Sequence, residues 1–163
     1  ALCRLSDPEY TVAGLYGSGT VAPQGTLEVT NRIEVSRFGG APTGSTLTVT
    51  GNLTLGTGLT CALRMAETDG VWTNDTVTVS GVLTVAGGGA VDLGCTPEAP
   101  FALNTRRVVM TAAGGIVNPA ALGGWTLAGT GHDSATRLLR IVRAEGNSVV
   151  VVMARPGMMV SVR

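Results

Sequence analysis

The chain has 163 residues, of which 44% are hydrophobic, only 13% are charged and 24 are glycine. Eleven acids balance eleven arginines and there is no lysine, which leaves neither a basic field for a nucleic-acid backbone nor an acidic tail for a partner. No stretch reaches the ~18 apolar residues of a membrane-spanning helix, and the opening Ala1-Leu2-Cys3 lacks a charged-then-apolar signal pattern, so a soluble, mature chain is expected. At this length residues 1–163 form one domain, and folding buries roughly 70% of the surface the unfolded chain exposes.

The 22 threonines and six aromatics point to strands, and the elements confirm the period. Leu27-Glu28-Val29-Thr30-Asn31-Arg32-Ile33-Glu34-Val35 alternates apolar and polar residues around Asn31. A sharper version follows in Thr46-Leu47-Thr48-Val49-Thr50, a bend at Gly51-Asn52, then Leu53-Thr54-Leu55 before Gly56-Thr57-Gly58. Strict alternation of this kind gives a strand with one face in a core and one in water. Leu59 to Asn74, with a turn at Asp69-Gly70, reads as another strand plus a loop.

Thirty residues on, Val77-Thr78-Val79-Ser80-Gly81-Val82-Leu83-Thr84-Val85 repeats the sharper unit, with Thr48, Gly51, Leu53, Thr54 and Gly58 matched by identical residue types. Glycine and asparagine best tolerate a left-handed backbone, so Asn31, Gly51 and Gly81 are expected at one repeated corner. Arg106 to Thr111 reads as a strand, and 112–125, rich in glycine and alanine with Pro119, as a loop with room for one helical turn. Arg137 to Arg143, a turn at Glu145-Gly146-Asn147, Ser148 to Met153, a Pro156-Gly157 turn and Met158 to Val162 form an antiparallel meander.

A unit with an alternating face buries its apolar row by stacking on the next copy, with strands ~4.8 Å apart. The expected fold is therefore all-β: a right-handed parallel β-helix (β-solenoid), its repeats over about 14–111, capped by the antiparallel meander within about 112–163. The alternative is a β-sandwich of antiparallel hairpins. In the cap, Leu139, Ile141, Val149, Val151 and Val160 are expected inward, with Arg140, Arg143 and Arg155 on the edge.

The unit Asn74-Asp75-x-Val77-x-Val79-x-Gly81-x-Leu83-Thr84-Val85, followed by Gly87-Gly88-Gly89, resembles the autotransporter-associated β-strand repeat proteins, the bacterial passenger-type β-helices. The ending Gly146-Asn147-Ser148-Val149-Val150-Val151 and Pro156-Gly157 is similar in style. The resemblance covers roughly Gly14 to Val162 and implies a right-handed parallel β-helix, secreted or displayed on a bacterial surface. The array is reduced here to about three clear copies and no membrane-inserting barrel of strands follows, which suits the C-terminal part of a longer passenger or a stand-alone relative.

Candidate chemistry is sparse. Cys3, Cys61 and Cys95 form no CxxC and His132 is the only histidine, so a zinc site is not expected; a Cys61–Cys95 bridge and three reduced thiols both fit. His132-Asp133-Ser134 has the residue types of a hydrolase triad, but adjacent side chains point apart, and a polar loop is the plainer reading. Gly87-Gly88-Gly89-Ala90-Val91-Asp92 departs from the calcium-binding nonapeptide at Ala90 and stands alone. Glu67, Asp69 and Asp75 offer carboxylates without the spacing of a calcium loop.

Among Trp72, Trp125, Tyr10, Tyr16, Phe38 and Phe101, at most two would share a sugar-binding face. Arg137, Arg140, Arg143 and Arg155 on the last strands suit an end that resists stacking, because charge discourages edge-to-edge pairing. No catalytic, cofactor-binding or metal residue is expected. The chain reads as a non-enzymatic structural or interaction module, a stalk or its capping end, with a protein or glycan at the cell surface as the partner class. The alternative is an accessory carbohydrate-binding domain using Trp72 or Trp125.

Overall fold

The computed structural model describes residues 2–36 and 44–157. In chain order the strands are β1 (Leu2–Leu5), β2 (Glu9–Tyr16), β3 (Gly19–Pro23), β4 (Thr26–Glu34), β5 (Thr46–Val49), β6 (Asn52–Leu55), β7 (Thr60–Ala62), β8 (Met65–Thr68) and β9 (Val71–Asn74). They continue with β10 (Thr76–Val79), β11 (Leu83–Val85), β12 (Ala90–Cys95), β13 (Arg106–Ala112), β14 (Ile116–Val117), β15 (Thr126–Thr130), β16 (Leu139–Glu145) and β17 (Ser148–Ala154). A short 3-10 turn at Pro119–Gly124 is the helical turn the sequence left room for. The fold is all-β, with parallel and antiparallel sheets and no closed barrel.

Three parallel ladders organise the chain. The first joins β1, β3, β5, β10 and β13. The second joins the start of β2 and of β4 to β6, β11 and β14. The third joins the ends of β2 and β4 to β7, β12 and β15. From β5, β6 and β7 to β10, β11 and β12 the partners lie thirty residues apart: Thr46 faces Thr76, Leu53 faces Leu83 and Thr60 faces Ala90.

Register turns residue identity into columns. Val21, Val49, Val79 and Ala112 form one; Leu27, Leu53, Leu83 and Ile116 a second; and Ile33, Cys61, Val91 and Leu127 a third. Nearly all are buried and belong to one core. Thr20, Thr48, Thr78 and Thr111 stack between the inward positions of the first ladder, where a β-branched side chain suits the pleat.

The antiparallel-hairpin sandwich does not form. Antiparallel strand pairs among the described residues are confined to β8 with β9, β13 with β17 and β16 with β17. Residues 59–74, read as one strand plus a loop, hold three strands, β7, β8 and β9, of which β8 and β9 make a hairpin because Asp69 and Gly70 both adopt the left-handed backbone its tight turn requires.

Two further expectations change. Asn31 is not a counterpart of Gly51: Leu27 faces Leu53, not Leu47, so Asn31 lies inside β4. The residue beneath Gly51 is Gly25, whose carbonyl accepts the Asn52 N–H at 3.0 Å. Nor is the corner left-handed. Gly25, Gly51, Gly81 and Gly114 all lack a positive φ; what they share is contact. A Cβ on Gly51 would sit 2.8 Å from the Gly25 carbonyl oxygen, and one on Gly81 2.7 Å from that of Gly51.

The tail shows the other change. Val149 and Val151 are buried as expected, but β16 pairs so that Val142 meets Val151, and Val142 is the inward residue. Ile141 therefore lies on the opposite face and Leu139 is 47% exposed. Side-chain parity in a strand is two, so a shift of one residue exchanges the faces. Val160 and the strand expected at 158–162 lie outside the described residues.

Gly51→Val should destabilise the fold by about 1–3 kcal/mol through overpacking against the preceding layer. Gly123→Ala, where an added Cβ meets nothing within 4 Å, should stay within about 0.5 kcal/mol. Urea unfolding midpoints of the two variants provide the comparison, and equal midpoints would refute the close stacking at Gly51.

Candidate functional site

The sequence's candidate groups do not converge. His132 Nε2 lies 2.8 Å from the Phe101 carbonyl oxygen, Asp133 Oδ1 accepts the Ala135 N–H at 2.9 Å in its own loop, and Ser134 is exposed. No nucleophile–base pair results, so the three residues serve the loop before β16. Glu67 and Asp69 sit exposed at the tip of the β8–β9 hairpin. Asp75 is fully buried at the hairpin's base. Its carboxylate accepts the Ser45 N–H at 3.0 Å and the Arg64 N–H at 3.3 Å, tying the hairpin to β5. Among the described residues no three His, Cys, Asp or Glu side chains gather.

The aromatic face fails at Trp125. That ring is 4% exposed and donates Nε1–H to the Gly87 carbonyl at 2.8 Å, so it is a core residue locking the glycine turn. Trp72 is half-buried and packs edge-on against Phe101, with ring centroids 6.3 Å apart. Phe101 is buried, and the Tyr10 hydroxyl accepts the Ser6 and Asp7 N–H groups at 3.2 Å. Phe38 lies outside the described residues.

A polar cluster escaped the sequence reading. Arg32 Nε donates to Glu34 Oε2 at 2.9 Å, and Arg64 Nη2 lies 4.0 Å from Glu34 Oε1. Arg32 and Arg64 line a recess of about 250 Å³ together with Ala62, Asp92 and Gly94. Arg32 and Glu34 alternate on one strand and were legible as a pair; Arg64 and Asp92 join them through folding alone. The Asp92 carboxylate on its wall and the pairing of Arg32 with Glu34 offset the positive charge of the two arginines.

The closing strands carry a second ionic group. Arg106 and Arg143 both bond the Glu145 carboxylate, Arg143 Nη2 at 2.7 Å. Partial burial works against ionisation of Glu145, and the hydrogen bonds from Arg143 and Arg106 outweigh it, holding the carboxyl below its ordinary value. Arg140 instead donates to the Asp133 carbonyl at 2.9 Å, and Arg155 is exposed.

All three cysteines are free thiols: Cys3 is exposed, Cys95 is half-buried and Cys61 lies in a core column. Burial raises Cys61 far above the ordinary thiol value, and burial followed by the charge of Asp92 pushes Cys95 up to about 11. Neither is a nucleophile at neutral pH.

A pH dependence follows. The folded state holds these protons more tightly than the unfolded chain, so the contribution is complete below the ordinary thiol value of 9.0 and falls as pH rises above it. Cys61 alone should remove up to about 1.4 kcal/mol of stability per pH unit there. Stability measured between pH 8 and 11 should lose that slope in Cys61→Ala. Iodoacetamide at pH 8 should label Cys3 readily and Cys61 only on unfolding.

Compared with known proteins, the chain matches no family model, no curated protein and no solved structure.

Proposed function

We propose that the chain is a right-handed β-solenoid module, of the kind its resemblance to autotransporter-associated repeats implies, working as a structural stalk or the capping end of one. The supporting observation is the set of continuous inward columns, because a ladder of like residues in parallel register is what a coil stacked on coil produces. Its work is mechanical. Backbone pairing and aliphatic burial hold a fixed spacing between whatever lies at either end, on a bacterial surface or in a secreted protein, without catalytic chemistry.

The closing end fits this role. β17 lies between β13 and β16, so among the described residues β16 with its arginines is the edge strand of this sheet. Charge on an edge strand opposes pairing with another molecule, and the Arg106–Glu145–Arg143 group keeps it there. The carbohydrate-binding alternative retains Trp72 and loses Trp125.

Removing residues 148–163 would bare Val142, Met110 and the free edge of β13 together. The truncated chain should aggregate or form stacked oligomers on size-exclusion chromatography. A soluble monomer with an unchanged β-type circular dichroism spectrum would refute the capping role. Affinity electrophoresis in polysaccharide gels checks the alternative: retardation that Trp72→Ala abolishes would favour a carbohydrate-binding domain over a stalk.

A further inference from the structure

The first ladder carries a surface that the stalk reading does not use. Leu47, Val49, Val77 and Val79 point inward, which leaves Thr46 and Thr48 of β5 and Thr76 and Thr78 of β10 on the outer face, layer over layer. Register extends the Thr48–Thr78 column to Thr20 on one side and Thr111 on the other. The Thr50 N–H donates to the Val21 carbonyl and the Ser80 N–H to the Val49 carbonyl, each at 2.9 Å, so the layers stay in step through Thr50 and Ser80. The hydroxyls therefore lie on a grid that repeats at about 4.8 Å between layers and about 6.6 Å along each strand. Its strands β3, β5, β10 and β13 are each paired on both sides.

The residue types are as regular as the spacing. Strands β3, β5 and β10 contain no charged and no aromatic residue, whereas β4 carries Glu28 and Arg32 and β12 carries Asp92. The grid side chains are exposed or half-buried. Threonine is stiff at χ1, so each presents a hydroxyl and a methyl at a fixed place. Thr46 Oγ1 and Thr76 Oγ1 are hydrogen-bonded across the layers at 2.9 Å.

We propose that this face binds crystalline water, an ice surface, whose oxygens repeat on a rectangular lattice of similar dimensions on its prism faces. Each hydroxyl contributes little alone, because its bond to the ligand replaces one to liquid water. A ligand that repeats at the grid's own spacing engages all of the hydroxyls together, and the methyls between them shed their hydration in the same contact. A protein partner is disfavoured by the same residues, since interface anchors are chiefly Trp, Tyr and Arg, with threonine and serine under-represented among them. A polyanion needs positive charge that these strands lack.

The test is uptake of the 163-residue chain into slowly growing ice, measured as its concentration in the ice against that in the remaining liquid. The unaltered chain should be taken up several-fold more than Thr78→Arg, which sets a long charged side chain in the centre of the grid. Thr84→Arg, at an outward threonine of β11 on the second ladder, should be taken up as well as the unaltered chain. Protection of Cys61 from iodoacetamide shows that each variant is folded. If Thr78→Arg fails that check, Thr46→Arg at an exposed grid position takes its place.

Exclusion of the unaltered chain from ice to the same extent as Thr78→Arg would overturn the proposal. So would an equal loss of uptake in Thr84→Arg, since the uptake would then not belong to this face. Binding to microcrystalline cellulose, or self-association on size-exclusion chromatography, that Thr78→Arg abolishes while no ice uptake is seen would overturn it too, by giving the face to a polysaccharide or to a second copy.

Discussion

At one corner of the fold, backbone rests directly on backbone. The Gly25 carbonyl accepts Asn52 N–H at 3.0 Å, the Gly51 carbonyl accepts Gly81 N–H at 3.1 Å, and the Gly81 carbonyl accepts Gly114 N–H at 2.9 Å. The approach leaves no room for a Cβ at Gly51, Gly81 or Gly114. With the layers pinned at this point, the strands on either side have one register available, and that register places valine over valine and leucine over leucine. A slip of one residue would turn each aliphatic row into solvent. The core therefore depends on a contact made by residues with no side chain.

The polar groups are arranged around this frame rather than within it. Asp75 is the most deeply buried of the exceptions, which include Glu34, Ser36 and Thr130, and its two backbone donors compensate its removal from water. The ion pair of Glu145 is partly exposed, where its contribution to stability is modest, whereas Glu34 is buried against Arg32. His132, Asp133 and Ser134 serve a loop, and Trp125 serves the core.

Much of this was legible in the chain. Alternation in Thr46–Leu55 and Val77–Val85 identified strands and inward residues, and the thirty-residue offset between them is the offset of the paired layers, because identical residues at identical spacing share an environment. The Glu145–Asn147 turn and the strands beside it were legible for the same local reason. What remained hidden depended on which strand lies next to which. Asn31 mimicked a corner because its neighbours alternate as Gly51's do; only pairing reveals that Gly25 occupies that level. Val142 and Ile141 both alternate within β16, and the choice between them belongs to β17 across the ladder. Trp125 is equally apolar in a core or on a sugar-binding face until the Gly87 carbonyl takes its N–H. Local periodicity determines which elements form and which residues share a face; register, which face points inward and which charges meet are long-range properties, decided where separate stretches of backbone come into contact.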